Sequence, residues 1–416
     1  MKENKICTLP NGLKIVLYKD STKSSCYAEL IVKYGAINNE FILNNEKYSL
    51  SDGIAHLLEH VLIEHSIFGN SRNYFHDNYV KSNGETSFKT TNYYIKTVHD
   101  FFSYLEKLIK IVNIPNFNRS DIETSKSAIY EEIGSLLDKN YYYLSKLEKD
   151  CLFENIRINS ILGSVDEVKN ITYDTLKMCY DIFYQPQNQI LVVSGNIDIE
   201  EVVKFVTKVY DEIKKEHIEY KIPELKEKNE VVKSDGEIYR DTGDDYVRID
   251  YKINISSFKP YDRVKLTFYL NYFLSYNFNE TSDTYKKLIE DKISIYNIEY
   301  NYDFMGDFLI ISISSHVLNI SKFVDLVINV MKNKNINEEY FNIQKKREII
   351  NLILREENYI KMTDSFIDNI LTFNYYDIDK LDDIISQTYD DYKKTIELLN
   401  FDNYCVLKML MKGSLS

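Results

Sequence analysis

The stretch HLLEH, from His56 to His60, places two histidines and a glutamate in one short apolar segment. On an α-helix, side chains four residues apart leave the same face, so His56 and His60 can direct both imidazoles to one metal ion. Glu59 lies on nearly the same face, where its carboxylate can take a proton from a metal-bound water. The spacing predicts a hydrolytic metal centre. The alternative is a pair of ordinary histidines in a half-buried helix.

A catalytic zinc ion usually has three protein ligands and keeps a fourth position for water. The segment SKSAIYEEIGSLL offers Glu131 and Glu132, which on a helix point about 100° apart, so only one can face the metal. Glu132 is surrounded by Ile129, Ile133 and Leu136, and Glu131 lies on a more polar side. The periodicity favours Glu132 as the third ligand of one zinc ion per chain. Iron, manganese or cobalt could use the same ligands, and only its suitability for hydrolysis favours zinc.

The segments around the motif predict the elements that position it. SDGIAHLLEHVLIEH is typical of a buried helix, with Ser51 and Asp52 as candidate N-caps. LKIVLYKD, CYAELIVKYG and TSFKTTNYYIKTV are predicted to be strands, and NQILVVSGNID a core strand. FFSYLEKLIKIV and the longer segment that carries Glu132 are predicted to be helices.

Two blocks of the first half recur in the second half. One constant shift places the strand and helix that begin at Asn92 on those that begin at Asp307, and NQILVV from Asn188 on NYCVLK from Asn403. A shared shift of distant blocks predicts a duplicated domain. The same shift aligns HLLEH with NYFLS from Asn271, which has neither histidine nor glutamate. The fold therefore does not require the two histidines and the glutamate, which favours a chemical role for them.

The duplication predicts an α+β fold with two similar domains, each a largely antiparallel sheet packed against helices. Residues 1–222 would be the catalytic domain with the zinc site, and residues 237–416 the second domain without a metal site. Residues 223–236 fall in the most charged and least periodic stretch, and they are the predicted linker.

Composition narrows the class of protein. With 416 residues, 44% hydrophobic and 28% charged, the chain is expected to fold into two domains. Its formal net charge of -13 argues against nucleic-acid and acidic-membrane partners. Five widely spaced cysteines without a CxxC pair predict reduced thiols. No targeting pattern or membrane-spanning apolar stretch is evident, so the expected location is the cytoplasm.

HLLEH followed by AIYEEI resembles the inverzincins, the family of insulinase, pitrilysin and mitochondrial processing peptidase. LPNGLKIVL, YGAINNEF, DGIAHLLEH, NGETSFKTTNYY and ILGSVDEVKNITYDTLKMCYDIFYQPQNQILVVSGNID are similar to family blocks in the family's order. The resemblance covers most of the first half and implies a zinc metalloendopeptidase. It implies that His56, His60 and Glu132 bind zinc and that Glu59 is the general base. The glutamate that many relatives carry two helical turns earlier is Ser125 here.

The resemblance also implies how the substrate is held. NGETS matches the edge strand on which such enzymes add a peptide as a further strand, so Asn83 and Gly84 are expected to contact substrate backbone. Relatives usually carry an Arg and a Tyr in the second domain, where this chain has Ile289 and Tyr296. Tyr296 is therefore expected to bind substrate, and the Arg is missing.

Relatives of about this length pair two chains, so that four domains close a chamber. The resemblance implies that this chain forms half of such a clamshell, as a homodimer or as a heterodimer with a related subunit that supplies the missing Arg. A closed chamber would admit peptides or small unfolded segments. Maturation of a peptide precursor is the favoured role, followed by general peptide turnover. The alternative is a non-catalytic peptide-binding or scaffold subunit, against which the intact motif argues.

Overall fold

The computed structural model describes residues 2–156, 160–213, 215, 217–223, 226–355, 367–375 and 380–412. The strands are β1 Lys2–Thr8, β2 Lys14–Asp20, β3 Cys26–Val32, β4 Glu40–Leu43, β5 Glu46–Ser49, β6 Lys81–Thr86, β7 Thr91–Thr97, β8 Gln189–Gly195, β9 Tyr220–Lys221, β10 Asp235–Arg240, β11 Asp245–Asn254, β12 Glu299–Met305, β13 Phe308–Val317 and β14 Tyr404–Met411.

The helices are α1 Ile54–Glu64, α2 Ser71–Asp77, α3 Phe101–Asn113, α4 Arg119–Leu137, α5 Asn140–Leu152, α6 Val165–Asn170, α7 Tyr173–Phe183, α8 Ile199–Glu212, α9 Pro260–Phe278, α10 Asp283–Glu290, α11 Ile320–Asn333, α12 Glu338–Arg355, α13 Lys380–Ile385 and α14 Tyr389–Leu398. Residues 367–373 are also helical, and Ala36–Asn39 and Pro186–Asn188 form short 3₁₀ turns. In the described part of the chain no helix is both long and apolar enough to cross a membrane.

The described residues divide into two compact units. Unit 1 contains residues 2–138 and 160–223, and unit 2 contains residues 139–156 and most of the chain from residue 226 onwards. Unit 1 has a six-stranded sheet in the order β1-β2-β8-β3-β7-β6 and a small sheet β5-β4-β9. Unit 2 has one five-stranded sheet in the order β10-β14-β11-β13-β12.

The two main sheets share one topology. In both, a single parallel pair, β2 with β8 or β10 with β14, is followed by antiparallel pairs only. The order β2-β8-β3-β7-β6 therefore corresponds strand by strand to β10-β14-β11-β13-β12. The α+β fold with two duplicated, largely antiparallel domains is confirmed.

The core of unit 1 lies between the six-stranded sheet and the helices. All seven residues of β8 are buried, because neighbouring strands flank it on both edges and helices cover it. On α3, Leu105, Leu108, Ile109 and Val112 recur at helical spacing and are buried in this core. The strand β6 is at the open edge of the sheet and alternates between exposed and half-buried positions up to Thr86, which is buried.

The described residues 139–156 fall in unit 2, whereas the predicted catalytic domain spans residues 1–222 without a break. Helix α5 lies with unit 2, where the backbone carbonyl of Cys151 accepts hydrogen bonds from the N–H groups of Val232 and Lys233. The carboxylate of Glu227 accepts from three backbone N–H groups of residues 154–156. The described part of the predicted linker from residue 226 onwards is thus bonded into unit 2.

Candidate metal centre

The helix α1 carries the HLLEH motif through the core of unit 1. It begins after Gly53, which has a left-handed φ of +84°, and a β-carbon there would lie 2.4 Å from the carbonyl oxygen of Leu162. The prediction of Ser51 or Asp52 as N-cap is wrong. The carboxylate of Asp52 instead accepts hydrogen bonds from the Asn39 amide and the backbone N–H of Ser160.

The helix α4 brings Glu132 to the two histidines. Its first turn is fixed by a reciprocal pair of hydrogen bonds between Asn118 and Asp121. Glu132 Oε2 lies 3.6 Å from His56 Nε2, and Glu132 Oε1 lies 3.4 Å from His60 Nε2. Both histidines are buried, whereas the Glu132 side chain is 44% exposed, so this side of the group opens outwards.

The geometry of these three side chains fits a zinc ion. A tetrahedral site with metal–ligand distances of about 2.0–2.1 Å places its ligand atoms about 3.3–3.4 Å apart. His60 Nε2 is 3.4 Å from Oε1 and His56 Nε2 is 3.6 Å from Oε2, both close to that value, and one ligand atom from each of the three residues lies within 4.8 Å of the others. Among the described residues this is the one group of three or more His, Cys, Asp or Glu side chains with suitable spacing, and Glu131 is not part of it.

Burial and nearby charges shift the pKa values of the two histidines in opposite directions. Burial, followed by the proximity of His60, lowers the pKa of His56 to about 3, so its imidazole is neutral. Burial lowers the pKa of His60, but the hydrogen bond to Glu64 and the charges of Glu59 and Glu132 outweigh it, and the net pKa is raised. His60 therefore sits in a negatively charged environment that favours a cation.

Glu59 lies beside this group and is almost fully buried. Thr86 Oγ1, at the end of β6, donates a hydrogen bond of 2.7 Å to Glu59 Oε2. Burial raises the pKa of Glu59, and the Thr86 hydrogen bond opposes that rise. The sequence did not reveal the role of Thr86, although this residue is part of the NGETS block.

The edge strand β6 approaches α1 closely at Gly84. A β-carbon at this position would lie 2.4 Å from Ile63 Cδ1 and 2.8 Å from Glu59 Oε1. Asn83 is exposed and pairs with Tyr94 of β7. In the described residues no strand pairs with the outer edge of β6, so its backbone groups face outwards there.

The carboxylate of Glu64 contacts the imidazole of His60 on the side away from Glu132. Glu64 Oε1 lies 3.2 Å from His60 Nδ1, and Ser125 Oγ donates a hydrogen bond of 2.6 Å to Glu64 Oε2. From its position four residues after His60, the sequence allows Glu64 either to orient that ligand or to face solvent. It marked Ser125 only as a departure from the family pattern, so the contact between the two was missed.

Tyr296 lies in unit 2, where its hydroxyl donates a hydrogen bond of 2.7 Å to Asp244 Oδ2. Ile289 is exposed on α10. The role of Tyr296 in substrate binding stays a prediction. Unit 2 has no metal-binding group in its described residues, and the aligned segment on α9 presents Asn271 and Ser275 instead of the histidines.

Comparisons with known proteins match both halves of the chain. A family model described as insulinase (peptidase family M16) matches residues 14–160, and one described as peptidase M16 inactive domain matches residues 170–347. The protein named uncharacterized zinc protease YmfH of Bacillus subtilis is 32% identical over 237 residues, 55% of this chain and 54% of that protein. Zinc protease PqqE of Helicobacter pylori is 25% identical over 62% of this chain and 58% of its own length. The chain thus spans about half the length of these relatives.

Two solved structures show the same fold over nearly the whole chain. An M16-like peptidase from Alicyclobacillus acidocaldarius has a TM-score of 0.88 at 19% identity and 99% coverage of both chains. A protease from Helicobacter pylori has a TM-score of 0.81 at 16% identity, with 98% of this chain and 99% of that chain covered. Because the two family models together match most of the sequence, the chain belongs to the insulinase (M16) peptidase family, with both of that family's domains represented.

Proposed function

We propose that this chain is a zinc-dependent endopeptidase that hydrolyses peptides or small unfolded segments. The observation that carries the proposal is the position of the Glu132 oxygens, 3.4 and 3.6 Å from the two histidine Nε2 atoms, with the buried carboxylate of Glu59 beside them. The names of the relatives, zinc proteases in both cases, support it.

The residues of the site have separate tasks. His56 and His60, through Nε2, and Glu132 would hold the zinc ion, which when bound supplies a Lewis acid that polarises a carbonyl group and makes water more acidic. Glu59 would accept the proton of the attacking water and return it to the leaving amine. Burial raises the pKa of Glu59, which makes its carboxylate a stronger base than an exposed one.

The open edge of β6 would receive the substrate. A peptide that pairs there as an added strand gains backbone hydrogen bonds whatever its sequence. Asn83 and Gly84 would contact the substrate backbone there. Because Gly84 has no side chain, the backbone of β6 comes close to Glu59, and a substrate carbonyl group held on this strand would be near the base.

We also propose that the chain works in a closed chamber formed with a second chain, either a copy of itself or a related subunit. Tyr296 would help to hold the substrate, and Ile289 takes the place of the Arg that relatives usually carry. Peptide maturation suits a chamber that excludes folded proteins. The cytoplasm remains the location predicted from the sequence.

The test compares the wild-type chain with His56→Ala and Glu59→Gln. Elemental analysis should find about one zinc per wild-type chain and per Glu59→Gln chain, and much less in His56→Ala. Cleavage of a mixed peptide library should fall about 10²–10⁴-fold in Glu59→Gln, because the variant keeps the metal but loses the base.

Other outcomes have definite meanings. An active Glu59→Gln variant would contradict the assignment of the base. Zinc without cleavage in the wild-type chain would point to a required partner subunit. No zinc in the wild-type chain, even after zinc is supplied, would overturn the proposal in favour of a non-catalytic peptide-binding or scaffold protein.

A further inference from the structure

Three side chains form a chain of contacts behind the proposed zinc site. Glu64 Oε1 lies 3.2 Å from Nδ1 of His60, and Ser125 Oγ donates a hydrogen bond of 2.6 Å to Glu64 Oε2. Ser125 is completely buried, and the side chain of Glu64 is only 21% exposed. A surface carboxylate would move freely, whereas this one is fixed at both oxygens.

The contact fixes which nitrogen of His60 is available to a metal. The Nε2 atom faces Glu132 at 3.4 Å, and the opposite atom, Nδ1, faces Glu64. When Nδ1 carries the proton and donates it to Glu64, Nε2 keeps its lone pair towards the metal position. His56 has no such arrangement, because its Nδ1 is buried without a hydrogen-bond partner among the described residues.

Ser125 connects this contact to a second helix. Glu64 is one turn after His60 on α1, whereas Ser125 lies on α4, the helix that also carries Glu132. The bond between Ser125 and Glu64 therefore links the orientation of one proposed ligand to the helix that supplies another. His65 is also near, with Nε2 4.0 Å from Glu64 Oε2.

We propose that Glu64 and Ser125 are positioning residues for the zinc site, with Glu64 orienting His60 and Ser125 fixing Glu64. This inference rests on the proposed function, since it takes His60 as a zinc ligand. In this chain the carboxylate beside His60 comes from α1, and a hydroxyl on α4 anchors it.

The test measures the dissociation constant of zinc by competition with a chelator, on purified metal-stripped protein. Glu64→Ala should raise this constant about 10–100-fold, because His60 loses the acceptor that orients it. Glu64→Gln keeps an acceptor for Nδ1–H and should restore most of the affinity. Ser125→Ala should give a smaller loss than Glu64→Ala. Glu131→Ala, which removes an exposed carboxylate from α4, is the matched control and should bind zinc like the wild-type chain.

The double variant Glu64→Ala/Ser125→Ala separates positioning from general damage. If Ser125 acts through Glu64, the double variant should bind zinc no more weakly than Glu64→Ala alone. Thermal unfolding of the metal-free proteins checks the fold. If Glu64→Ala does not fold, the test uses the other two variants: Ser125→Ala should weaken zinc binding, and Glu64→Gln should keep most of the affinity.

Three results would overturn the inference. Equal zinc affinity in the wild-type chain, Glu64→Ala and Ser125→Ala would show that His60 needs no orienting partner. Fully additive losses in the double variant would show that Ser125 does not act through Glu64. A wild-type chain that binds no zinc would overturn the proposed function and this inference together, which distinguishes it from the first two results.

Discussion

The proton affinity of Glu59 depends on two opposing features of its surroundings. Burial raises the pKa above the ordinary value of 4.5, and the hydrogen bond donated by Thr86 stabilises the carboxylate and opposes that rise. A general base must be ionised before it can accept a proton. These contacts therefore set the lower pH limit of the proposed reaction.

The first prediction concerns that limit. As the pH falls through the pKa of Glu59, its carboxylate becomes protonated and kcat/KM falls; burial moves this acid limb up, and the charge of a bound zinc ion moves it down. Thr86→Val removes the donor to the carboxylate, which raises the pKa further, and the acid limb should move up by about 1 pH unit. Thr86→Ser keeps the donor and should leave the limb near its wild-type position.

Zinc content measured at each pH distinguishes protonation of the base from loss of the metal. The prediction requires that Thr86→Val and the wild-type chain keep equal zinc where their activities differ. If the acid limb follows zinc release instead, or does not move in Thr86→Val, Glu59 does not set the limit.

At the residue scale, the sequence predicted the group that the structure brings together and missed its neighbours. Helical spacing was enough for His56 and His60, and periodicity on α4 favoured Glu132 over Glu131. Spacing along one helix describes one face only. The contacts of Thr86 with Glu59 and of Ser125 with Glu64 join positions 27 and 61 residues apart, so they arise from packing and have no local signal.

The approach of β6 to α1 is the feature on which the site depends at the scale of elements. Gly84→Ala should force the strand, Ile63 or the Glu59 carboxylate to move, because the added carbon would lie 2.4 Å from Ile63 Cδ1 and 2.8 Å from Glu59 Oε1. We expect the free energy of unfolding to fall by about 1–3 kcal/mol. Peptide cleavage should fall on the order of 100-fold, since displacement of a catalytic group by about 1 Å can cost that much.

Gly134→Ala is the matched control for this prediction. Gly134 lies on α4, and a β-carbon there would meet nothing within 4 Å. The substitution should stabilise the helix by up to about 1 kcal/mol and leave cleavage unchanged. A Gly84→Ala variant with the stability and activity of this control would mean that β6 can move away from α1 without effect. Urea unfolding and the peptide assay provide both measurements.

The sequence predicted the type of an element better than the residue at which it begins or the elements against which it packs. The strands and helices predicted for unit 1 are present as β2, β3, β7, β8, α1, α3 and α4, but residues 87–90, predicted as strand, form the turn between β6 and β7. The N-cap of α1 was misassigned because Asp52 has tertiary partners, Asn39 and Ser160, that compete for its carboxylate. The packing of α5 with unit 2 could not be predicted from the sequence, because an apolar helical face does not specify which sheet will cover it.

At the scale of the whole molecule, one topology occurs twice and the proposed chemistry once. The strand order of unit 1 recurs in unit 2, and among the described residues only unit 1 brings metal ligands together. The shift between repeated blocks was sufficient to predict this duplication. If Tyr296 of unit 2 does bind substrate, either its own chain or a second chain could present it to a given metal site.

Mixing two inactive variants distinguishes these arrangements. In a homodimer whose sites each combine Glu59 of one chain with Tyr296 of the other, Glu59→Gln and Tyr296→Phe should each lose activity. After subunit exchange, random pairing makes about half of the dimers mixed, and each mixed dimer has one intact site, so about a quarter of wild-type activity should return. A mixture of Glu59→Gln with His56→Ala is the control and should recover nothing, because both residues belong to unit 1. No recovery from the first mixture, in a chain that sedimentation shows to be dimeric, would mean that Tyr296 acts within its own chain or not at all.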